Sequence, residues 1–151
     1  MSAKLALQPL FLVSCVSKKH STPRPARELY CSDWFRKARA YVEMEDAKWF
    51  ILSAKHGLVS PDQVIKPYNM TLKNMSTLKR RGWAKKVADT LQPHCKAGNR
   101  VIVLGGSKYR EHLVPLLKEW GCYVETPLEG MGIGQQKRWL KHKLTSPATE
   151  G

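Results

Sequence analysis

Four segments of this chain group residue types that hold anions or move protons. The first is Ser14-Cys15-Val16-Ser17-Lys18-Lys19-His20. Hydroxyls and ammonium groups in one loop suit a phosphate or a carboxylate. They also suit a plain solvated basic loop. The glycine pattern of a P-loop is missing, which argues against a nucleoside triphosphatase of that kind. Cys15 serves as a thiol nucleophile or redox sensor only if Lys18, Lys19 or His20 lowers its pKa. The alternative is a packed core thiol.

The second segment runs from Ser53 through Lys55, His56, Gly57 and Asp62 to Pro67-Tyr68. A histidine titrates near neutral pH and can act as acid or base, although a lone histidine more commonly packs or faces solvent. The Pro67-Tyr68 bend can present an aromatic ring to a base or bury it. The third segment is Gly105-Gly106-Ser107, with Tyr109 two residues on. Its glycines let a ligand approach the backbone, and a helix beginning at Ser107 favours an anion at its N-terminus. A plain tight turn is the competing reading. In the fourth, Gly130, Gly132 and Gly134 alternate ahead of Lys137, Arg138, Lys141 and Lys143. That basic face can follow a phosphate backbone or be merely solvated. The glycines are not spaced as GxGxxG and follow the last strand, so a dinucleotide fingerprint is unsupported.

Charge points to a class of partner. The 151 residues include 26 Lys and Arg against 12 Asp and Glu, a net charge of +14 with histidine neutral. From Lys66 to Lys86 there are seven Lys or Arg residues, Lys79, Arg80 and Arg81 among them, and no acid. Such an excess repels itself unless a polyanion neutralises it. Nucleic acid does so with a gain from released counterions. The competing reading is a highly soluble enzyme with a basic surface.

The elements that must position these loops follow from hydrophobic pattern. Leu10–Ser14, Trp49–Ser53, Arg100–Leu104 and Cys122–Glu125 are apolar runs without polar alternation, as in strands covered on both faces. Ser32 or Asp33 caps a helix whose apolar face is Trp34, Ala38, Tyr41 and Val42. A second helix is expected over about Ser76–Leu91, burying Trp83, Val87 and Leu91. A third starts near Ser107 and is kinked or divided by Pro115, with Gly121 as its stop. A basic helix over roughly Gly134–Leu144 ends the fold. The β-α-β-α-β-α-β-α order predicts a single three-layer α/β/α domain over residues 1–145, with a mainly parallel four-stranded sheet. The tail 146–151 reads as disordered. In such a sheet ligands bind beyond the carboxyl ends of the strands, at a topological switch point. All four segments follow strands.

Other classes are disfavoured. No run approaches the ~18 apolar residues of a membrane span. Pro9 interrupts the apolar N-terminus, so it reads as a strand and not as a signal peptide. Cys15, Cys31, Cys95 and Cys122 form no CxxC pair, which disfavours zinc. A cytoplasmic monomer with reduced thiols, no metal and no cofactor is expected, with Cys122 in the core.

SCVSKKH, ARELYCSDWFRKARAY, WFILSAKHGLVSPDQVIKPYNMTL and LEGMGIGQQKRWL resemble, in that order, a family of small bacterial and phage proteins. The resemblance spans about Leu10–Leu144. The third of these segments is also similar to the peroxide-stress YaaA family, which implies DNA binding and protection from oxidative DNA damage. RRGWAKKVADTL followed by VIVLGGSKYRE is more faintly similar to uracil-DNA glycosylases, which have a parallel four-stranded sheet between helices. The first loop departs from those enzymes in lacking their water-activating Asp or Asn motif. The last has Pro127-Leu128-Glu129 in place of a His-Pro-Ser element.

If the chain is an N-glycosylase on modified or damaged DNA, its acid–base candidates are His56, Glu129 and Asp62, with Lys18 or Lys55 stabilising charge. Nucleic acid would meet Ser14, Cys15, Ser17, Lys19, Ser53, Lys55, Gly57, Tyr68, Lys79, Arg80, Arg81, Gly105, Gly106, Ser107, Tyr109, Gly130, Gly132 and Lys137. The alternatives are a non-catalytic DNA-binding module and an enzyme acting on a free nucleotide or small anion.

Overall fold

Leu10–Ser14, the first apolar run, becomes β1, the central strand of the sheet in a computed structural model that describes residues 8–145. It lies between β3 (Trp49–Ser53) and β6 (Arg100–Leu104), parallel to both, with Val13 in register with Ile51 and Leu104. All five residues of β1 and of β3 are buried. Successive strand residues point to opposite faces, so both faces are covered at the sheet centre. Beyond β6 lies the parallel strand β7 (Tyr123–Glu125). The sheet has five strands rather than four, because β4 (Gly57–Val59) folds back antiparallel on β3 and forms the other edge. Gly57, at φ 75°, makes that reversal possible.

A two-stranded ribbon stands apart from the sheet. It joins β2 (Arg24–Pro25) to β5 (Val64–Ile65) and leads into the short helix α1 (Ala26–Leu29). Ala26 N–H donates to the Gln63 carbonyl at 2.8 Å, and Arg27 N–H to that of Pro61 at 2.9 Å. The Arg27 guanidinium also pairs with Asp62.

Helix α2 (Asp33–Met44) is capped by Ser32, whose Oγ accepts from Phe35 N–H at 3.0 Å. Its expected apolar face, Trp34, Ala38, Tyr41 and Val42, is buried. Helix α3 (Thr77–Leu91) is capped in the same way by Ser76 and buries Trp83, Val87 and Leu91. The segment after β6 is divided into α4 (Ser107–Arg110) and α5 (Leu113–Glu119). Pro115 falls in the first turn of α5, where its missing N–H leaves no bond unmade, and its ring is incompatible with helix four residues earlier. Gly121, at φ 94°, ends α5. The last helix, α6 (Ile133–Thr145), packs on α2, and α3 packs on α5.

The Cys95 and Cys122 sulfurs are 3.6 Å apart in the core. Burial, then the contact with Cys122, pushes the Cys95 thiol up to about 12. Cys122 is thus the core residue its sequence context implies. No helix among the described residues is long and apolar enough to cross a membrane. The tail 146–151 lies outside the described residues.

Candidate nucleotide cleft

The connection after β1 runs to β3 on one side, while β6 leads to β7 on the other. The strand order therefore reverses between β1 and β6, the position where α/β sheets open a crevice beyond their carboxyl ends. A cleft of about 610 Å³ lies at this place. Its floor comes from the end of β1 (Ser14, Cys15) and the turn after β6 (Gly106, Ser107, Tyr109). One wall is the start of α2 (Ser32, Asp33, Trp34) and the first turn of α6 (Ile133, Gln136, Lys137), and the other is Met70, Thr71 and Lys73.

The floor admits little change. A Cβ on Gly105 would lie 2.8 Å from Ser14 Cβ and 2.9 Å from Ser14 Oγ. Here the glycine serves close approach of two strand ends. Ser14 is only 5% exposed, and among the described residues its hydroxyl has no hydrogen-bond partner. Ser14 lines the cleft, so its hydroxyl is open to a ligand there. Beside it, Cys15 Sγ meets the Tyr109 hydroxyl at 3.2 Å.

The walls are held by direct bonds. Trp34 Nε1 donates to Gln136 Oε1 at 2.8 Å, and Gln136 Nε2 donates to the Met131 carbonyl at 2.9 Å. The glycine-rich loop is thereby tied to α2. Asp33 is the one carboxylate on the cleft wall among the described residues. It bonds Lys37 at 2.7 Å and pairs with Lys137 at 3.6 Å, and the Lys37 hydrogen bond, chiefly, holds its carboxyl below the usual range. Lys18, Lys73 and Lys108 also line the cleft and form no ion pair among the described residues. The cleft thus offers cations and hydroxyls between two aromatic side chains, Trp34 and Tyr109.

Of the residues singled out in the sequence, Ser14, Cys15, Ser17, Lys18, Gly106, Ser107, Tyr109 and Lys137 line the cleft, and Gly105 backs its floor. The three acid–base candidates do not join Lys18 there. Asp62 is engaged by Arg27. Glu129 accepts from Thr126 Oγ1 at 2.7 Å and pairs with Arg110 at 3.4 Å. His56 packs edge-on against Tyr68, and burial, then Lys55 and Lys86, lowers its pKa.

Tyr68 belongs to a buried network instead. Its hydroxyl accepts from Ser53 Oγ at 2.8 Å and lies 2.6 Å from the Tyr30 hydroxyl, while Lys19 Nζ sits 4.3 Å from the ring centroid. Ser53 Oγ in turn accepts from His56 N–H at 3.0 Å. Arg80 is also engaged, by Glu111 at 2.7 Å and by the Met75 carbonyl. Lys55, Lys79, Arg81, Gly130 and Gly132 are exposed, and Gly57 is buried in β4; none lines the cleft. Ser32, Asp33, Thr71, Lys73, Lys108 and Gln136 also line the cleft without a local sequence pattern that marks them as site residues, and Trp34 reads from its helical spacing as core. The helix cap at Ser32 was the one available signal for that wall.

Burial, above all, raises the pKa of Tyr30, Tyr68 and Tyr109. A folded-state pKa above the unfolded value means stability that is complete below about pH 10 and falls as pH rises beyond it. Alkaline titration followed by tyrosinate absorbance is expected to show these three phenols ionising together with loss of the circular dichroism signal. Their ionisation in the folded protein near pH 10 would contradict the network.

The chain belongs to the family of unknown function DUF6884, whose model matches residues 10–142. It is also similar to the uncharacterized protein YfjM of Bacillus subtilis (strain 168), at 27% identity over 159 residues, covering 91% of this chain and 100% of that one. No solved structure matches.

Proposed function

We propose that this protein acts on DNA, drawing one nucleotide out of the stack into the β1–β6 cleft for chemistry at its base or N-glycosidic bond. The observation that carries the reading is the cleft itself. Ser14 shares it with three lysines that form no ion pair among the described residues, with Trp34 on a wall and Tyr109 in the floor. Lysines and hydroxyls suit phosphate, and aromatic side chains suit an extruded base. The volume falls within the roughly 300–1,000 Å³ of small-ligand sites. Read as three layers, with α2 and α6 over one face and α3 and α5 over the other, the domain would share the layering of uracil-DNA glycosylases but not their four-stranded parallel sheet, since β4 adds a fifth, antiparallel strand. The net charge of +14 supplies the attraction for a polyanion.

Within this reading the roles shift from those expected. Asp33, kept ionised by Lys37 and Lys137, stabilises positive charge developing on the sugar, as carboxylates do when glycosidic bonds break. Ser14 and Lys18 hold phosphate, and Tyr109 orients the base. The protein works as a cytoplasmic monomer without a cofactor.

The test is incubation with labelled oligonucleotides carrying normal, deaminated, oxidised and hypermodified bases, followed by alkali. Strand breaks at one modified base are expected. Intact strands throughout, with salt-sensitive retention of the same oligonucleotides, would leave the YaaA-like reading, a DNA-binding module without catalysis. A second reading, an enzyme on a free nucleotide, draws on the same lysines. It predicts activity that survives salt, whereas DNA binding weakens steeply.

A further inference from the structure

A second concavity, of about 240 Å³, lies alongside the first. His20, Arg24, Arg27, Arg36 and Arg39 line it, with Glu28 as the one carboxylate on its wall among the described residues. The two hollows have neighbouring residues in their linings: Cys31 lines the second and Ser32 the first. The opening turn of α2 repeats the division, with Trp34 turned to the cleft and Arg36 to the groove.

The arginines are braced in different ways. Arg27 pairs with Glu28 at 3.6 Å and with Asp62, and Arg39 pairs with Glu43 at 3.1 Å and donates to the Arg27 carbonyl at 3.1 Å. These contacts build the wall. Arg36 Nη2 donates to the Cys31 carbonyl at 2.8 Å, and Arg24 Nε reaches Thr22 Oγ1 at 3.4 Å. Neither Arg24 nor Arg36 has a carboxylate partner among the described residues. Two guanidiniums with donors to spare, set among further arginines, match the geometry of phosphate oxygens better than lysines would.

We infer that this groove holds a backbone phosphate of the DNA strand on one side of the nucleotide in the cleft. The inference rests on the cleft reading. It places part of the DNA footprint on the β2–α1–α2 face.

The test compares wild type, Arg24→Gln/Arg36→Gln and Arg24→Gln. Binding of a single-stranded DNA oligonucleotide is measured over a salt series, and binding of a deoxynucleoside 5′-monophosphate by calorimetry. The double variant is expected to lower the salt slope by about 0.7, the share of the one phosphate released, with mononucleotide affinity unchanged. An unchanged slope would overturn the groove. If loss of the Cys31 bond unfolds the double variant, Arg24→Gln decides the matter, because it forgoes only the Thr22 contact; a lowered slope supports the groove and an unaltered one sinks it. Arg24→Lys keeps the charge and is expected to restore most of the slope. Lys18→Gln separates the two ideas. If it leaves mononucleotide affinity intact while Arg24→Gln still lowers the slope, the cleft reading fails and the groove stands. A wild-type protein that retains no oligonucleotide overturns both.

Discussion

Trp83→Ala is expected to lower the unfolding free energy by about 3–5 kcal/mol, the usual cost of removing a buried large aromatic side chain. Trp83 is 8% exposed. Its Nε1 donates to the Ser53 carbonyl at 2.8 Å, and its ring meets that of Tyr109 edge-on at 5.5 Å. One side chain of α3 thus ties the end of β3 to the cleft. Trp83→Phe keeps most of the packing but removes the indole hydrogen bond to the Ser53 carbonyl, and is expected to cost about 1 kcal/mol. Urea unfolding followed by circular dichroism gives both values. An alanine variant within about 1 kcal/mol of wild type would mean that this joint carries little of the fold. Tyr109 also loses its support in the alanine variant, so nucleotide binding is expected to weaken in the fraction that stays folded.

Lys18→Gln/Lys73→Gln/Lys108→Gln is expected to reduce single-stranded DNA affinity about a hundredfold at roughly 0.1 M salt. Three lost contacts at about 0.7 each lower the salt slope by about 2, which is two decades of affinity at that concentration. Uncharged glutamine keeps the length of the side chain, so the effect reads charge rather than packing. Lys79→Gln/Arg81→Gln/Lys86→Gln on α3 is the control. Those three side chains are exposed and line neither concavity, and a much smaller change is expected. An equal loss in the two triple variants would move the footprint to α3.

The strands at the sheet centre were plain in the sequence because β1, β3 and β6 are continuous apolar runs, and a strand buried on both faces has no other way to look. Ser32 and Ser76 announced their helices through capping, and Pro115 announced the break before it. The edge strand β4 stayed hidden because it is three residues long and starts with glycine. Its pairing with β3 is set by the turn, not by propensity. The cleft was half legible. Residues at the ends of β1 and β6 were found because strand ends bear ligands in such sheets. Asp33 and Trp34 were missed because a helix pattern shows which residues are apolar, not what the first turn faces once docked. Arg80 fails in the opposite direction. It sits in a run without acids, yet its partner Glu111 lies 31 residues away, beyond the reach of any local charge pattern.

Ser14 and Gly105 also govern how the site can diversify. Each occupies the space the other would need in order to grow, so neither position tolerates a larger side chain without moving the strand ends beneath it. New ligand preferences therefore have to arise at the mouth, at Met70, Lys73, Lys108 or Ile133, where substitution displaces nothing in the sheet. The cleft has a fixed base and an interchangeable rim, and a library aimed at altering what it accepts should leave the base untouched.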